Sequence, residues 1–283
     1  MKENEAEWDI RIEPKNKLLD INFKEIWDHR DLMFMFVKRD LTAQYKQTVL
    51  GPLWHFIQPV FTTIVYMLLF TTIARLSTDG LPPLLFYLSG ITIWNYFSAC
   101  FMGTSGTFAT NAGIFGKVYF PRLVMPLATI MSNVVKFLIQ FSLLILLIVY
   151  YDFHGYKFMF TWNLLLIPYL LLCMAGLGLG WGIIVSSLTI KYRDLSVLVS
   201  FGLQLLMYAT PVIFPLSALP AKYHTILQLN PLASLVETFR YAMLGVGSVS
   251  FHSLLYSSIF TVVTLILGII IFNKVERTFI DTI

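Results

Sequence analysis

Beyond about residue 55 the apolar positions of this chain gather into long runs, whereas the stretch before it mixes charges with short apolar segments. Six runs approach the roughly 20 residues that a helix needs to cross a hydrocarbon core. They cover Phe56–Ala74, Leu84–Met102, Leu123–Tyr150, Leu164–Ile190, Leu195–Phe214 and Phe251–Phe272. A lone sheet cannot satisfy its backbone in lipid, so each run is predicted to be a helix. The expected fold is an all-α integral membrane protein with six transmembrane helices. An N-terminal interfacial amphipathic helix precedes them, and an outer-face re-entrant helical segment lies between spans five and six.

Residues 1–21 are read as a polar cytoplasmic tail, 22–50 as the interfacial helix and 51–283 as the six-span domain. Asn22 is a candidate N-cap, with Glu25 three residues on as its capping-box partner, and the helix runs to about Gln44. Ile26, Trp27, Phe34, Val37 and Leu41 form its apolar side, mixed with Lys24, Arg30, Lys38, Arg39 and Lys46. The run Leu32–Val37 is too short to span, so the helix either lies along the interface or packs on a partner. The stretch Tyr45–Pro59 then leads into the bilayer, with Trp54 suited to the headgroup level and Gly51-Pro52 to a turn or helix start.

Between spans five and six lies a long segment, Pro211–Ser250, too apolar for a solvated loop. Pro211, Pro215 and Pro220 interrupt the fifth span. Asn230-Pro231 supplies an N-cap and a first-turn proline, and Gly245 supplies a C-terminal stop. The helix between them has about fourteen residues, near 21 Å, which is short for a crossing. Glu237 and Arg240, three apart, can pair on one side of it. Their role is either to hold that helix or to serve an outer gate formed with Asn230 and Pro231.

Composition sharpens the membrane assignment. Of 283 residues, 57% are hydrophobic, 16% aromatic and only 13% charged. A soluble chain carries about 25% charge. The net charge of +4 forms no basic face, so nucleic acid is not an expected partner. Cys100 and Cys173 sit in apolar segments without metal-ligand spacing, and no metal site is expected. The first apolar run comes after about fifty polar-rich residues, so no signal peptide is expected.

Lysines and arginines fix an orientation. Nine precede Gly51, two lie in Gly103–Arg122, two in Lys191–Arg193, and Lys274 and Arg277 close the chain. The other side holds only Arg75, Lys157, Lys222 and Arg240, which places both termini in the cytoplasm. Lys136 lies inside the third span, where a lysine costs roughly 2.5–3.5 kcal/mol. It is either functional or faces a wet groove with Asn133 and Gln140. No acid lies centrally in any span, which argues against a proton relay or cation-coupled transport. In the fourth span Gly178 and Gly182 form a small-xxx-small face, for close packing or for a bend in a moving helix.

Catalytic patterns are missing. There is no phosphate-cradling glycine loop with a lysine and no His-Glu-x-x-His pair. Asp79, Asp152, Asp194, Glu237 and Glu276 are scattered among loops and ends.

Tyr45–Pro59 resembles the entry motif of ABC-2-type exporter permeases. Lys117-Val118-Tyr119-Phe120-Pro121-Arg122, continued from Leu123 to Pro126, resembles that family's second cytoplasmic motif. Tyr192-Arg193-Asp194-Leu195 is similar to a third, and Asn230-Pro231-Leu232 to a fourth. The best match is the membrane subunit of exporters of lipid-linked O-antigen or teichoic acid. The resemblance implies a transport subunit, not an enzyme, in the cell inner membrane. Two copies of the chain would pair, and each would dock an ABC ATPase subunit that holds the ATP and Mg. No cofactor would sit in this chain. The cargo would be a polysaccharide on a polyprenyl diphosphate. Residues 117–122 would couple ATP-driven motion to the membrane part, and the helix at 22–44 would touch the ATPase. Spans one and five would line the pore, so Phe61, Tyr66, Phe70, Phe201 and Tyr208 would stack on sugar faces or else meet lipid and neighbouring helices. Lys38, Arg39, Lys46 and Trp54 would meet the lipid diphosphate or serve topology and anionic lipid. Competing readings are a permease of the same fold for a drug or small lipid, and a non-transporting membrane enzyme or scaffold in glycan assembly.

Overall fold

A computed structural model describes residues 23–46, 48–115, 120–156, 162–189, 192, 194–247 and 249–279. The tail, the Asn22 cap, Lys117, Val118, Tyr119, Lys157, Lys191 and Arg193 lie outside the described residues. Among the described residues all regular structure is helical. The helices are α1 Phe23–Asp28, α2 Arg30–Tyr45, α3 Trp54–Tyr66, α4 Pro83–Ser105, α5 Thr107–Phe115, α6 Val124–Phe153, α7 Leu166–Thr189, α8 Leu195–Tyr208, α9 Ala221–Gln228, α10 Pro231–Leu244 and α11 Phe251–Phe279. Five stretches are long and apolar enough to cross a membrane: Gly51–Ile73, Pro83–Ser105, Val124–Phe153, Trp162–Thr189 and Phe251–Val275. The chain is therefore a multi-pass membrane protein by length and composition of its helices.

The fifth expected span differs from its forecast. Its helix was expected over Leu195–Phe214, but α8 ends at Tyr208. Fourteen residues at 1.5 Å each reach about 21 Å, below the ~30 Å hydrocarbon thickness. The break falls just before Pro211, which lacks an N–H for the Met207 carbonyl and disfavours a helical Thr210, and later side chains satisfy the backbone freed there. Asn230 Nδ2 donates to the Ala209 carbonyl at 3.1 Å and meets Thr210 Oγ1 at 2.9 Å.

The N-terminal helix also differs, being two helices that meet at His29. The His29 ring caps this joint, with Nδ1 2.7 Å from the Glu25 carbonyl. The apolar side expected from spacing is only partly the packed one. Trp27 and Phe34 are exposed, whereas Phe36 is buried and Leu32, Met33 and Val37 pack beside it. Apolar residues occupy more than one side of α2, so spacing alone could not select the face that meets α6.

The core is centred on α4, which is buried along most of its length. It packs between α6 and α7, with α3 and α10 against it, while α7 packs in turn on α11. Close approach on both sides of α7 requires missing side chains. A Cβ on Gly178 would fall 2.7 Å from the Cβ of Cys100, and one on Gly182 2.7 Å from the Cβ of Thr104, both on α4. A Cβ on Gly176 would fall 2.6 Å from Thr261 Cγ2, and one on Gly180 3.0 Å from the backbone of Thr264 and Leu265, on α11. The small-xxx-small face at Gly178 and Gly182 thus packs on α4, and a second face at Gly176 and Gly180 packs on α11. Thr104 Oγ1 lies 2.7 Å from the Cys100 carbonyl and 3.0 Å from the Gly178 carbonyl, so its proton also bridges the two helices.

Gly182→Val should destabilise the detergent-solubilised protein by roughly 1–3 kcal/mol through overpacking, seen as a lower thermal midpoint. Gly202→Ala, on α8 with nothing near its would-be Cβ, should stay within about 0.5 kcal/mol.

Candidate functional site

Four regions carry the residues singled out by the sequence. The first is the helix α10. Asn230 is its N-cap, accepting from the Leu232 N–H at 3.0 Å, and Pro231 occupies the first turn. Gly245 closes it with a φ of 72°, in the left-handed region glycine favours. Twelve of its fourteen residues are buried, so it is an internal element and not a helix lying on the surface. Arg240 is 1% exposed and Glu237 5%. Arg240 Nη1 donates to Glu237 Oε1 at 2.9 Å. Its Nη2 donates to the carbonyls of Pro211 at 2.9 Å and Val212 at 3.2 Å. The guanidinium lies 4.0 Å from the centroid of the Phe86 ring on α4. A desolvated contact of this kind contributes about 2 kcal/mol. One side chain therefore ties α10, α4 and the unwound segment after α8 together. Asp79, from the turn before α4, accepts from Ser217 at 2.6 Å and its charge reaches both members of the pair.

The second region is a chain of rings at the end of the bundle where α2, α5 and the start of α6 meet. Phe36 and Phe120 stand 5.8 Å apart, Phe120 and Phe115 5.7 Å, Phe115 and Phe108 5.9 Å, and Phe108 stacks on Phe272 of α11 at 4.7 Å. These separations suit tilted and offset aromatic pairs. Of the stretch 117–122, the described residues Phe120, Pro121 and Arg122 are all buried. Arg122 lies 5.7 Å over the Phe115 ring. The Phe108 N–H donates to Ser186 Oγ at 3.1 Å, which anchors α5 to α7.

The third region comprises the aromatic residues of α3, of its π-helical continuation Met67–Ile73 and of α8. Tyr66 and Phe70 pack together at 5.6 Å and both contact Tyr87. Tyr66 also reaches α8, its hydroxyl 3.7 Å from the Met207 sulfur. Phe61, Phe201 and Tyr208 remain at least half exposed. The five thus divide into two that join the core edge and three on open helix faces.

The cations of α2 do not converge. Lys38, Arg39 and Lys46 are all exposed, as is Trp54. Arg39 is engaged by Asp40, with Nη2 2.8 Å from Oδ1, and lies 4.9 Å over Phe36.

The fourth region is a polar cavity of about 280 Å³ among α2, α3, α4 and α6. Lys136, Asn133 and Gln140 enter it from α6, as the spacing of those residues allows. His55 and Gln58 from α3, Asn95 and Ser98 from α4 and Gln44 from α2 complete its polar lining. The last five carry no sequence signal, since they come from three other helices. Asn95 Nδ2 and Gln140 Oε1 are 3.4 Å apart.

A family model described as ABC-2 type transporter matches residues 31–244. The O-antigen export system permease protein RfbA of Klebsiella pneumoniae is 30% identical over 252 residues, which is 89% of this chain and 94% of that protein. Its counterpart from Myxococcus xanthus is 30% identical over 219 residues, 77% of this chain and 82% of that protein. The polysialic acid transport protein KpsM of Escherichia coli is 25% identical over 253 residues, 86% of this chain and 93% of that protein.

Arg240→Met should strand a buried carboxylate and two carbonyls and cost about 3–5 kcal/mol, read as loss of monodisperse folded protein on size exclusion. Glu237→Gln keeps an acceptor for Arg240 and should be milder. Asn230→Ala removes the cap and should cost about 1 kcal/mol, measured by thermal unfolding in detergent.

Proposed function

Because the chain belongs to the ABC-2 type transporter family, we propose that it is the transmembrane subunit of an ATP-driven exporter of a polyprenyl-diphosphate-linked polysaccharide. The observation that carries this is similarity along 89% of the chain to a protein named as an O-antigen export permease. The chain works as a homodimer, with two copies of a separate ATPase subunit that bind ATP and Mg. It sits in the cell inner membrane with both termini cytoplasmic, on the charge asymmetry of its loops. In the membrane α8 and the unwound segment to Phe214 together form a sixth crossing. The α1–α2 pair lies along the cytoplasmic interface, and α10 is re-entrant from the outer face.

The physics of the cargo supports this reading. A polysaccharide presents apolar CH faces and many hydroxyls, so it slides best over aromatic surface that stacks without fixed hydrogen bonds. Phe61, Phe201 and Tyr208 offer such surface on helices that are thinly covered. Residues 117–122 receive the ATPase stroke. The ring chain from Phe120 through Phe115 and Phe108 to Phe272 offers it a stiff route from α2 to α11. The Glu237–Arg240 pair holds the outer end closed around the unwound segment.

Deleting the gene should abolish surface polysaccharide, and affinity purification of the chain should recover an ATPase subunit. Unchanged surface glycan, or export without any such partner, sinks the proposal. Lys117→Glu should leave ATP hydrolysis by the complex in place and lower export, measured as surface glycan per cell. Equal export by this variant counts against the coupling role.

A further inference from the structure

We propose that the cavity around Lys136 is a binding site for a phosphoryl anion and that it receives the diphosphate of the lipid-linked cargo. The identity of the cargo rests on the function proposed above; the anion chemistry rests on the cavity alone. No acid lines the cavity: the polar residues around Lys136 are His55, Tyr96, Ser98 and the amides of Gln44, Gln58, Asn95, Asn133 and Gln140. Asp40, on α2, is the acid whose charge reaches Lys136. It is already bound by Arg39, so the three side chains leave one net positive charge.

Several donors here lack acceptors. Asn133 is 4% exposed, and its Nδ2 finds no oxygen or nitrogen acceptor; the polar group beside it is the Cys100 thiol, whose sulfur is a weak acceptor. His55 Nε2 and the Tyr45 hydroxyl are likewise buried without partners, and their rings meet edge-on at 5.8 Å. A buried donor is costly to leave unmet, so a site that gathers several of them around a cation is prepared for an acceptor-rich, negatively charged group. A phosphoryl group is such an acceptor. It has several oxygens for amide, imidazole and ammonium donors and keeps a negative charge beside Lys136 at neutral pH.

Size and access agree. The cavity of about 280 Å³ far exceeds the ~10–15 Å³ needed by one water. It is bordered by Gln44 and Gln58, both exposed, so it opens to the surface beside the start of α3. A lipid entering sideways along α3 could place its headgroup in the cavity and keep its tail in the bilayer. The exposed cations of α2 do not converge on a common partner, so they act as a diffuse attraction on the approach.

The test titrates farnesyl diphosphate into the purified full chain in phosphatidylcholine nanodiscs. Wild type should bind it. Lys136→Met should weaken binding by about 10-fold or more, the loss that goes with one charge-assisted hydrogen bond. Lys136→Arg should restore most of it, and Lys222→Met, on α9 and outside the cavity lining, should change nothing. Removing a lysine from a span favours insertion, so Lys136→Met should fold. Inorganic pyrophosphate and phosphatidylglycerol nanodiscs identify the source of the anion. Lys136-dependent binding of pyrophosphate alone means a free-anion site, and displacement of farnesyl diphosphate by phosphatidylglycerol means a bulk-lipid site. Either result keeps the phosphoryl site and overturns its assignment to the cargo if farnesyl diphosphate is no tighter. Binding that ignores Lys136, or no binding of any of the three probes, overturns the site. Glycan export is scored separately in cells. Normal export by Lys136→Met overturns the link to cargo, whereas Lys136-dependent diphosphate binding in a chain that exports no glycan sinks only the exporter reading.

Discussion

A guanidinium buried to 1% exposure holds the half of the bundle opposite α2 together. Arg240 cannot lose its charge, so its surroundings must supply acceptors. They do so from three places: Glu237 one turn away, the carbonyls of Pro211 and Val212, and the face of Phe86. Each acceptor lies on a different part of the chain, so satisfying the charge fixes how those parts meet. The unwound stretch after α8 keeps its free carbonyls in a membrane protein because this side chain and Asn230 take them. Irregular backbone at depth is tolerated where protein satisfies it. Gly90 on α4 belongs to the same arrangement, since a Cβ there would meet the Val212 carbonyl at 2.8 Å and Arg240 Nη2 at 3.1 Å.

Much of this architecture was legible from local sequence. Asn230-Pro231 and Gly245 mark the two ends of α10 because capping is chemistry within a few residues. The Glu237–Arg240 pairing follows from helical spacing in the same way. The break of α8 was legible in Pro211, since a helix ends a few residues before a proline that cannot continue it. What holds the unwound stretch was not, because the groups that satisfy its carbonyls lie twenty to thirty residues downstream. The packed face of α2 was hidden for a different reason. Apolar residues surround much of that helix, and Phe36 is selected by the cluster it joins from other elements, Phe120, Val124 and Met125 among them.

Charge gave a similar division. Lys136 stood out because a lysine within an apolar run is costly, and Asn133 and Gln140 followed from spacing on one helix. The partners from α2, α3 and α4 could not be found, since no periodicity links four separate elements. Arg122 illustrates the reverse. A cation in a loop motif reads as an exposed contact, yet it is buried over Phe115, so its neighbours decide its environment more than its charge does.

The two glycine faces of α7 have a mechanical meaning. With α4 and α11 seated directly on its backbone at four glycines, no side chain of α7 at those points can change rotamer and take up slack, and Trp181 wedges its ring between Phe97 and Phe101 of α4 and Phe260 of α11. Packed elements of this kind yield by small sliding motions and resist being pried apart. The three helices therefore behave as one plank. By contrast, the apolar window of Gly51–Ile73 has 11% of its residues buried within the chain against 78% for Pro83–Ser105. A displacement of the plank moves it whole and is taken up at its seam with α3, the span with least burial inside the chain, where the Tyr66 hydroxyl reaches the Met207 sulfur of α8.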